Sequence, residues 1–185
     1  MNSYLVRKTA FGPVAIAWRP SPRGAVVCRV FLSDSASPAE DKLRQAYPDA
    51  ETANCPDVRA IGAGIRALLA GAAVEFDLDL VDLEACPPFQ RAVLRATHGI
   101  PRGRVSTYGL VAAQLDKPGA ARAVGNALAD NPFPLLIPCH RVVRGDGALG
   151  GFGGGPFLKS ALLTLEDVAA DDFGRIRRAR FHYAD

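Results

Sequence analysis

The sequence predicts an α+β fold in which a mixed first half is followed by a mostly helical second half. Three observations carry this: two β-rich runs open the chain, a period-two stretch closes its first half, and short helical patterns fill the remainder. The runs GPVAIAWRP (12–20) and GAVVCRVFLS (24–33) flank PSPRG, whose Pro and Gly break regular structure, so a hairpin or meander is expected. SASPAEDKLRQAYP (35–48) then starts a helix: Ser35 or Ser37 can cap it, Pro38 suits its first turn, and Glu40 and Asp41 favour the positive end of its dipole. A second helix is expected over residues 58–69. AVEFDLDLV (73–81) alternates apolar and acidic residues as a half-exposed strand would.

After EACPPF the texture changes, and a domain boundary is placed near Ala85. FQRAVLRATHGI (89–100) repeats apolar positions at Phe89, Val93, Leu94 and Thr97, a helical spacing that ends before Pro101. STYGLVAAQL (106–115), with Ser106 or Thr107 as cap, and the Ala-rich AARAVGNALAD (120–130) are two short helices around the turn DKPG. Such a pair suggests helix-turn-helix, although any two-helix hairpin reads similarly. The expected organisation is therefore an N-terminal α+β domain over 1–84, a helix-turn-helix domain over 85–170 and a basic tail over 171–185, read as solvated.

Composition narrows the function. At 185 residues, 49% of them hydrophobic, the chain can bury a core as one domain or as two small ones sharing an interface. No segment approaches 18 consecutive apolar residues and no cleavable leader is recognisable, so no membrane is expected and the location reads as cytoplasmic. Cys28, Cys55, Cys86 and Cys139 stand far apart, without a CxxC pair or a His at ligand spacing; free thiols are expected, with neither a disulfide framework nor a metal site. Residues 1–85 carry nine Lys and Arg against eleven Asp and Glu, whereas residues 86–185 carry thirteen against eight. The basic second half suggests an anionic partner there.

Within that half, NPFPLLIPCHRVV (131–143) sets Cys139 and His140 after a proline-punctuated apolar run. A lone Cys is ordinarily a small core residue, but the charged Arg141 that follows argues against full burial of this one. A nucleophilic thiol needs a base and a fixed approach geometry, which His140 and the prolines can supply. Being adjacent in sequence, the two side chains need not touch, and a water can connect them. Glu166, in LLTLED, is the candidate to orient the imidazole, because a glutamate on an apolar-periodic helix is out of place unless partnered.

IPCHRVV, with FQRAVLRATHGIPRGRVSTYGLVAAQL before it and GGFGGG and LLTLED after it, resembles the O6-alkylguanine-DNA alkyltransferases, or methylated-DNA-protein-cysteine methyltransferases. The resemblance covers essentially the whole second half; residues 1–84 share only length and texture with the family's variable N-terminal domain. It implies a small ribonuclease H-like N-terminal domain and a mostly helical, winged-helix-like DNA-binding and catalytic domain. By position, Cys139 matches the alkyl acceptor, His140 the base acting through water, Glu166 its holder, Asn131 the hinge asparagine and Tyr108 the tyrosine beside the everted nucleotide. Arg122 matches the arginine that fills the gap left by the flipped base. Ala121, Asn126 and Arg141 are expected with it at DNA, and Val142, Phe152, Gly153 and Gly154 at the guanine pocket. Two departures are Leu94, where relatives often carry Trp, and Asp130, where a small or basic residue is expected.

The resemblance implies that the recognition helix lies in the minor groove, and an Ala/Gly face suits that narrow space better than a bulky one. Basic residues at 91, 95, 102, 104, 117, 122, 141 and 144 would offset phosphate charge without reading sequence. The expected activity is a single-turnover transfer of the alkyl group from O6-alkylguanine in double-stranded DNA to Cys139, by a monomer needing no cofactor and no metal, cytoplasmic and, in a bacterium, nucleoid-associated. Its rivals are an alkyltransferase-like protein that flips and signals damaged bases without chemistry, a DNA-binding regulator and a cysteine protease. The nucleophile itself speaks against the first, the lack of a sensor unit against the second, and Arg122 with Asn131 against the third.

Overall fold

A computed structural model describes residues 2–22 and 24–184, in two units. The first comprises residues up to Leu83 together with Pro132–Leu136; the second comprises Glu84–Asn131 and the chain from Ile137 onward.

In the first unit β1 (Ser3–Arg7), β2 (Val14–Ser21), β3 (Gly24–Leu32) and β4 (Glu51–Thr52) form a sheet of order β3-β2-β1-β4. β2 runs antiparallel to both β1 and β3, and β4 pairs parallel with β1. Five successive residues of β2, Val14 to Trp18, are buried. A strand reads as continuously apolar when both faces of its sheet are covered. Tyr4, Ala15, Ala17 and Phe31 pack with Ala39 and Leu43 of α1 (Ala39–Ala46), while Leu5, Trp18 and Ala25 pack with Val58 of α2 (Pro56–Leu69). Two expectations need correction. Neither Ser35 nor Ser37 caps α1: Ser33 Oγ accepts the Ala39 N–H at 3.0 Å, and Asp34 takes the N–H groups of Ala36 and Ser37. Residues 73–81 do not form a strand but hold a 3-10 turn at Leu78–Leu80, and only Val81 bridges to β3, at Val27. Asp77 accepts the N–H of Asp79 at 3.0 Å, showing how a short carboxylate diverts backbone from ladder pairing.

In the second unit α3 (Pro88–His98), α4 (Tyr108–Gln114) and α5 (Ala121–Ala129) pack on one another, burying Val93, Leu94, Val111, Ala112, Val124 and Leu128. Of the two candidate caps for α4, Thr107 is the one used: its Oγ1 accepts the Leu110 N–H at 3.1 Å. β5 (Ser106–Thr107) pairs parallel with β6 (Val142–Val143), and α6 (Gly155–Leu165) supplies Leu158, Leu162 and Leu163 to the core. The C-terminal segment is not a solvated tail. Ile176 and Phe181 are buried against Val105, Val143, Leu163 and Val168, apolar area that holds the segment down. Among the described residues no helix is long and apolar enough to cross a membrane.

Candidate active site

The approach to Cys139 is set by backbone. Leu135 has φ of 74°, a left-handed conformation that costs a side-chain-bearing residue about 1–2 kcal/mol. Pro138, at φ −79° and ψ 60°, centres an inverse γ-turn in which the Cys139 N–H donates to the Ile137 carbonyl at 2.8 Å. A single 3-10 turn, Cys139–Arg141, follows. Proline holds φ near the required value, so the sulfur leaves the chain in a fixed direction. Asn131, at the base of this loop, points Nδ2 at Cys139 Sγ (3.1 Å) and at the Ile137 carbonyl (3.4 Å).

The two residues after Cys139 belong to a buried cluster built on Glu166. His140, fully buried, meets Glu166 Oε1 through Nε2 at 2.9 Å. Arg141 donates through Nε to Glu166 Oε2 and through Nη2 to Oε1, both at 2.9 Å, and through Nη1 to the Ile100 carbonyl at 2.7 Å. Burial alone would raise the Glu166 carboxyl, but the hydrogen bonds and charges of His140 and Arg141 outweigh it and hold the pKa at about 2. An ionised Glu166 only accepts, so Nε2 carries the imidazole proton and Nδ1 the lone pair. Nδ1 is buried and has no hydrogen-bond partner among the described residues. Burial holds His140 below its ordinary pKa despite Glu166, leaving a neutral base.

Cys139 itself is held as a thiol: burial pushes its pKa up, against the hydrogen bond from Asn131 and the charge of Lys159. A resting thiolate is therefore not its state in this pocket, and any reaction of the sulfur as a nucleophile requires that proton to be removed. Sequence reasoning misses Lys159. It is fully buried on α6, donates to the carbonyls of Val142 (2.7 Å) and Gly151 (3.2 Å), and has its pKa lowered to about 8 by burial. Helical spacing is the available signal, because Leu162 and Leu163 lie three and four residues on and share its buried face.

Cys139 lines a pocket of about 310 Å³ with Tyr108, Gly125, Gly151, Phe152 and Gly153, and with Leu128 and Ala129 of α5. This is the low end of the range for small-molecule sites. The Phe152 ring stands edge-on to His140, centroids 6.3 Å apart. Gly150 has φ of 71°, and a Cβ there would lie 2.8 Å from the Tyr108 hydroxyl, so only glycine lets the loop approach that ring.

The structure thus brings together Cys139, Asn131, His140, Glu166, Tyr108, Phe152 and Gly153. Arg122 and Asn126 are exposed on α5 and Ala121 half-buried at its start. Three expectations change. Arg141 is no surface phosphate contact: it is 7% exposed and committed to Glu166, the partner that allows it to bury. Val142 is fully buried and its carbonyl engages Lys159, while Gly154 precedes α6; neither lines the pocket. Glu166 ends α6 as its C-cap rather than lying within it.

The family described as 6-O-methylguanine DNA methyltransferase, DNA binding domain, matches residues 88–168. A methylated-DNA-protein-cysteine methyltransferase of Mycobacterium bovis is 43% identical over 131 residues, 69% of this chain and 78% of that protein. The chain belongs to the methylated-DNA-protein-cysteine methyltransferase family. A second member, from Methanothermobacter thermautotrophicus, is 48% identical over 107 residues, and the match spans 58% of this chain and 60% of that relative. The crystal structure of Mycobacterium tuberculosis OGT in complex with DNA has the same architecture, with a TM-score of 0.72 and 33% identity over 89% of this chain and 92% of that one.

Proposed function

We propose that this family member repairs DNA directly, Cys139 accepting the alkyl group of O6-alkylguanine in a reaction that consumes the protein. The observation that carries this reading is the position of Cys139 at the pocket beside a neutral His140 whose Nδ1 lone pair is buried and, among the described residues, unpartnered. One water between Sγ and Nδ1 would take the thiol proton to His140, with Glu166 holding the ring through Nε2. Sulfur then attacks the alkyl carbon in line with the C–O bond, that bond breaks, and the proton ends on guanine. Asn131 and the Lys159 charge stabilise negative charge on sulfur as it forms. The product thioether offers no easy leaving group, so the transfer happens once.

Base O6 atoms cannot be reached inside a stacked duplex, so the nucleotide rotates out at a cost of a few kcal/mol. Arg122, exposed on α5, would occupy the gap, while Ala121 and Asn126 face the minor groove and Tyr108 adjoins the extruded nucleotide. The likeness to a mycobacterial protein bound to DNA supports that use of the helix pair. On this reading the first unit is ribonuclease H-like and the second winged-helix-like. The free thiols agree with a reducing cytoplasm, where the protein would act as a monomer.

The test is peptide mapping after mixing with an O6-methylguanine duplex. One methyl on the peptide containing Cys139, absent from Cys139→Ala protein that still binds the lesion, is expected. Methyl on Cys28, Cys55 or Cys86, or none at all, would reject the assignment.

A further inference from the structure

We propose that the C-terminal segment carries a second phosphate-contacting strip, Arg175, Arg177 and Arg178, that holds duplex DNA flanking the lesion. The proposal rests on the DNA-repair reading above and adds a surface to it that lies beyond the residues matched by the family's DNA-binding domain, 88–168.

The segment is anchored where the site begins. β5 and β6 run parallel with Thr107 opposite Val143, so the next residues, Tyr108 and Arg144, leave the sheet side by side, and Arg144 emerges next to the pocket's tyrosine. The chain then turns tightly, the Arg144 N–H donating to the Ala148 carbonyl at 2.8 Å. Onto that turn the C-terminal segment is zipped: the Ile176 N–H donates to the Gly147 carbonyl at 2.9 Å. Gly147 has φ of 84°, and a Cβ there would lie 2.6 Å from the Ile176 carbonyl oxygen and 3.3 Å from the Arg175 side chain. A residue without a side chain is what allows this approach. Arg175 is thereby held against the turn that carries Arg144, and both act on Asp146, which pairs with Arg144 at 3.4 Å.

Further along, the Val105 N–H donates to the Arg180 carbonyl at 2.9 Å, Ser106 Oγ donates to the His182 carbonyl at 2.9 Å, and the Arg104 guanidinium donates to the Phe181 carbonyl at 3.2 Å. With Ile176 and Phe181 buried on either side, the residues between them cannot trail freely. Arg175, Arg177 and Arg178 are exposed, and neither the Arg177 nor the Arg178 side chain has a hydrogen bond or ion pair among the described residues. Arginines fixed in place, with donors unspent, meet phosphate at a smaller entropic cost than arginines on a floppy tail. The only acids between residues 167 and 174 are Asp167, Asp171 and Asp172, and the Asp171 carboxylate is occupied by the N–H groups of Phe173 and Arg175.

The experiment is a salt titration of binding to an O6-methylguanine duplex, using the full chain with Arg175, Arg177 and Arg178 all changed to Ala, or all to Lys. Removing the strip should make the slope of log affinity against log salt shallower by about 0.9 for each phosphate that is no longer neutralised, and lysines should restore most of it. Single Arg177→Ala protein, whose slope is expected to be shallower by about 0.9, serves if the triple variant does not fold. An unchanged slope overturns the proposal, as does an equal change per charge from Arg66→Ala on the exposed side of α2, which would mark a general charge effect. Methyl transfer by the unaltered protein is followed in parallel: transfer with an unchanged slope rejects the strip alone, and a changed slope without transfer rejects the repair chemistry alone.

Discussion

Glu166 serves two partners with one carboxylate, the neutral His140 through Oε1 and the Arg141 cation through both oxygens, and it is 3% exposed. Removing one partner from such a buried group leaves the others uncompensated, which costs about 3–5 kcal/mol. Glu166→Gln is expected to lower stability by that order in urea unfolding and to slow methyl transfer, since His140 loses its anchor. Its pKa of about 2 lies below the ordinary carboxyl value of 4.5, so its stabilisation is complete above about pH 4.5 and drains away as pH falls toward 2. The unaltered protein should therefore lose stability over that window more steeply than Glu166→Gln; parallel pH profiles would remove Glu166 from this role. Cys139, His140 and Glu166 are legible in the sequence because their residue types suit the nucleophile, the base and its holder of the proposed reaction. The burial of Arg141 and Lys159 is not: a lone cation reads as a surface charge until the fold supplies Glu166 for one and the carbonyls of Val142 and Gly151 for the other.

At the scale of elements, α5 ends at an exposed acid. Asp130 is the C-cap, its backbone N–H donates to the Asn126 carbonyl at 3.2 Å and its own carbonyl accepts from Gln90, so main-chain groups order the turn. No ion pair joins its carboxylate to Arg122 or Arg144 among the described residues. A carboxylate beside the proposed groove would repel phosphate, and Asp130→Arg should tighten duplex binding, steepening the salt slope by about 0.9 if the new side chain reaches a phosphate. A lowered melting temperature with an unchanged slope would instead assign Asp130 to structure. The helices α3, α4 and α5 are readable from apolar spacing, because each buries one face. The stretch 73–81 imitates a strand because alternation also arises when acids face outward from an irregular segment whose Phe76 and Val81 alone are buried. The anchoring of the C-terminal segment is invisible in the sequence because Ile176 and Phe181 are single apolar residues among arginines, too sparse for any periodic signal.

For the molecule as a whole, every residue lining the pocket and every member of the ion cluster belongs to the second unit, which is also where the positive charge is concentrated. A reaction that leaves a thioether on Cys139 makes the protein a reagent, and its capacity is then the number of molecules present. The measurement that tests this most directly is the stoichiometry of repair with excess O6-methylguanine duplex: guanine restored is plotted against protein added. The account predicts a burst that ends at one methyl removed per chain, with Cys139 fully methylated at the plateau. Continued repair beyond one equivalent, or a plateau reached with Cys139 unmodified, would contradict it.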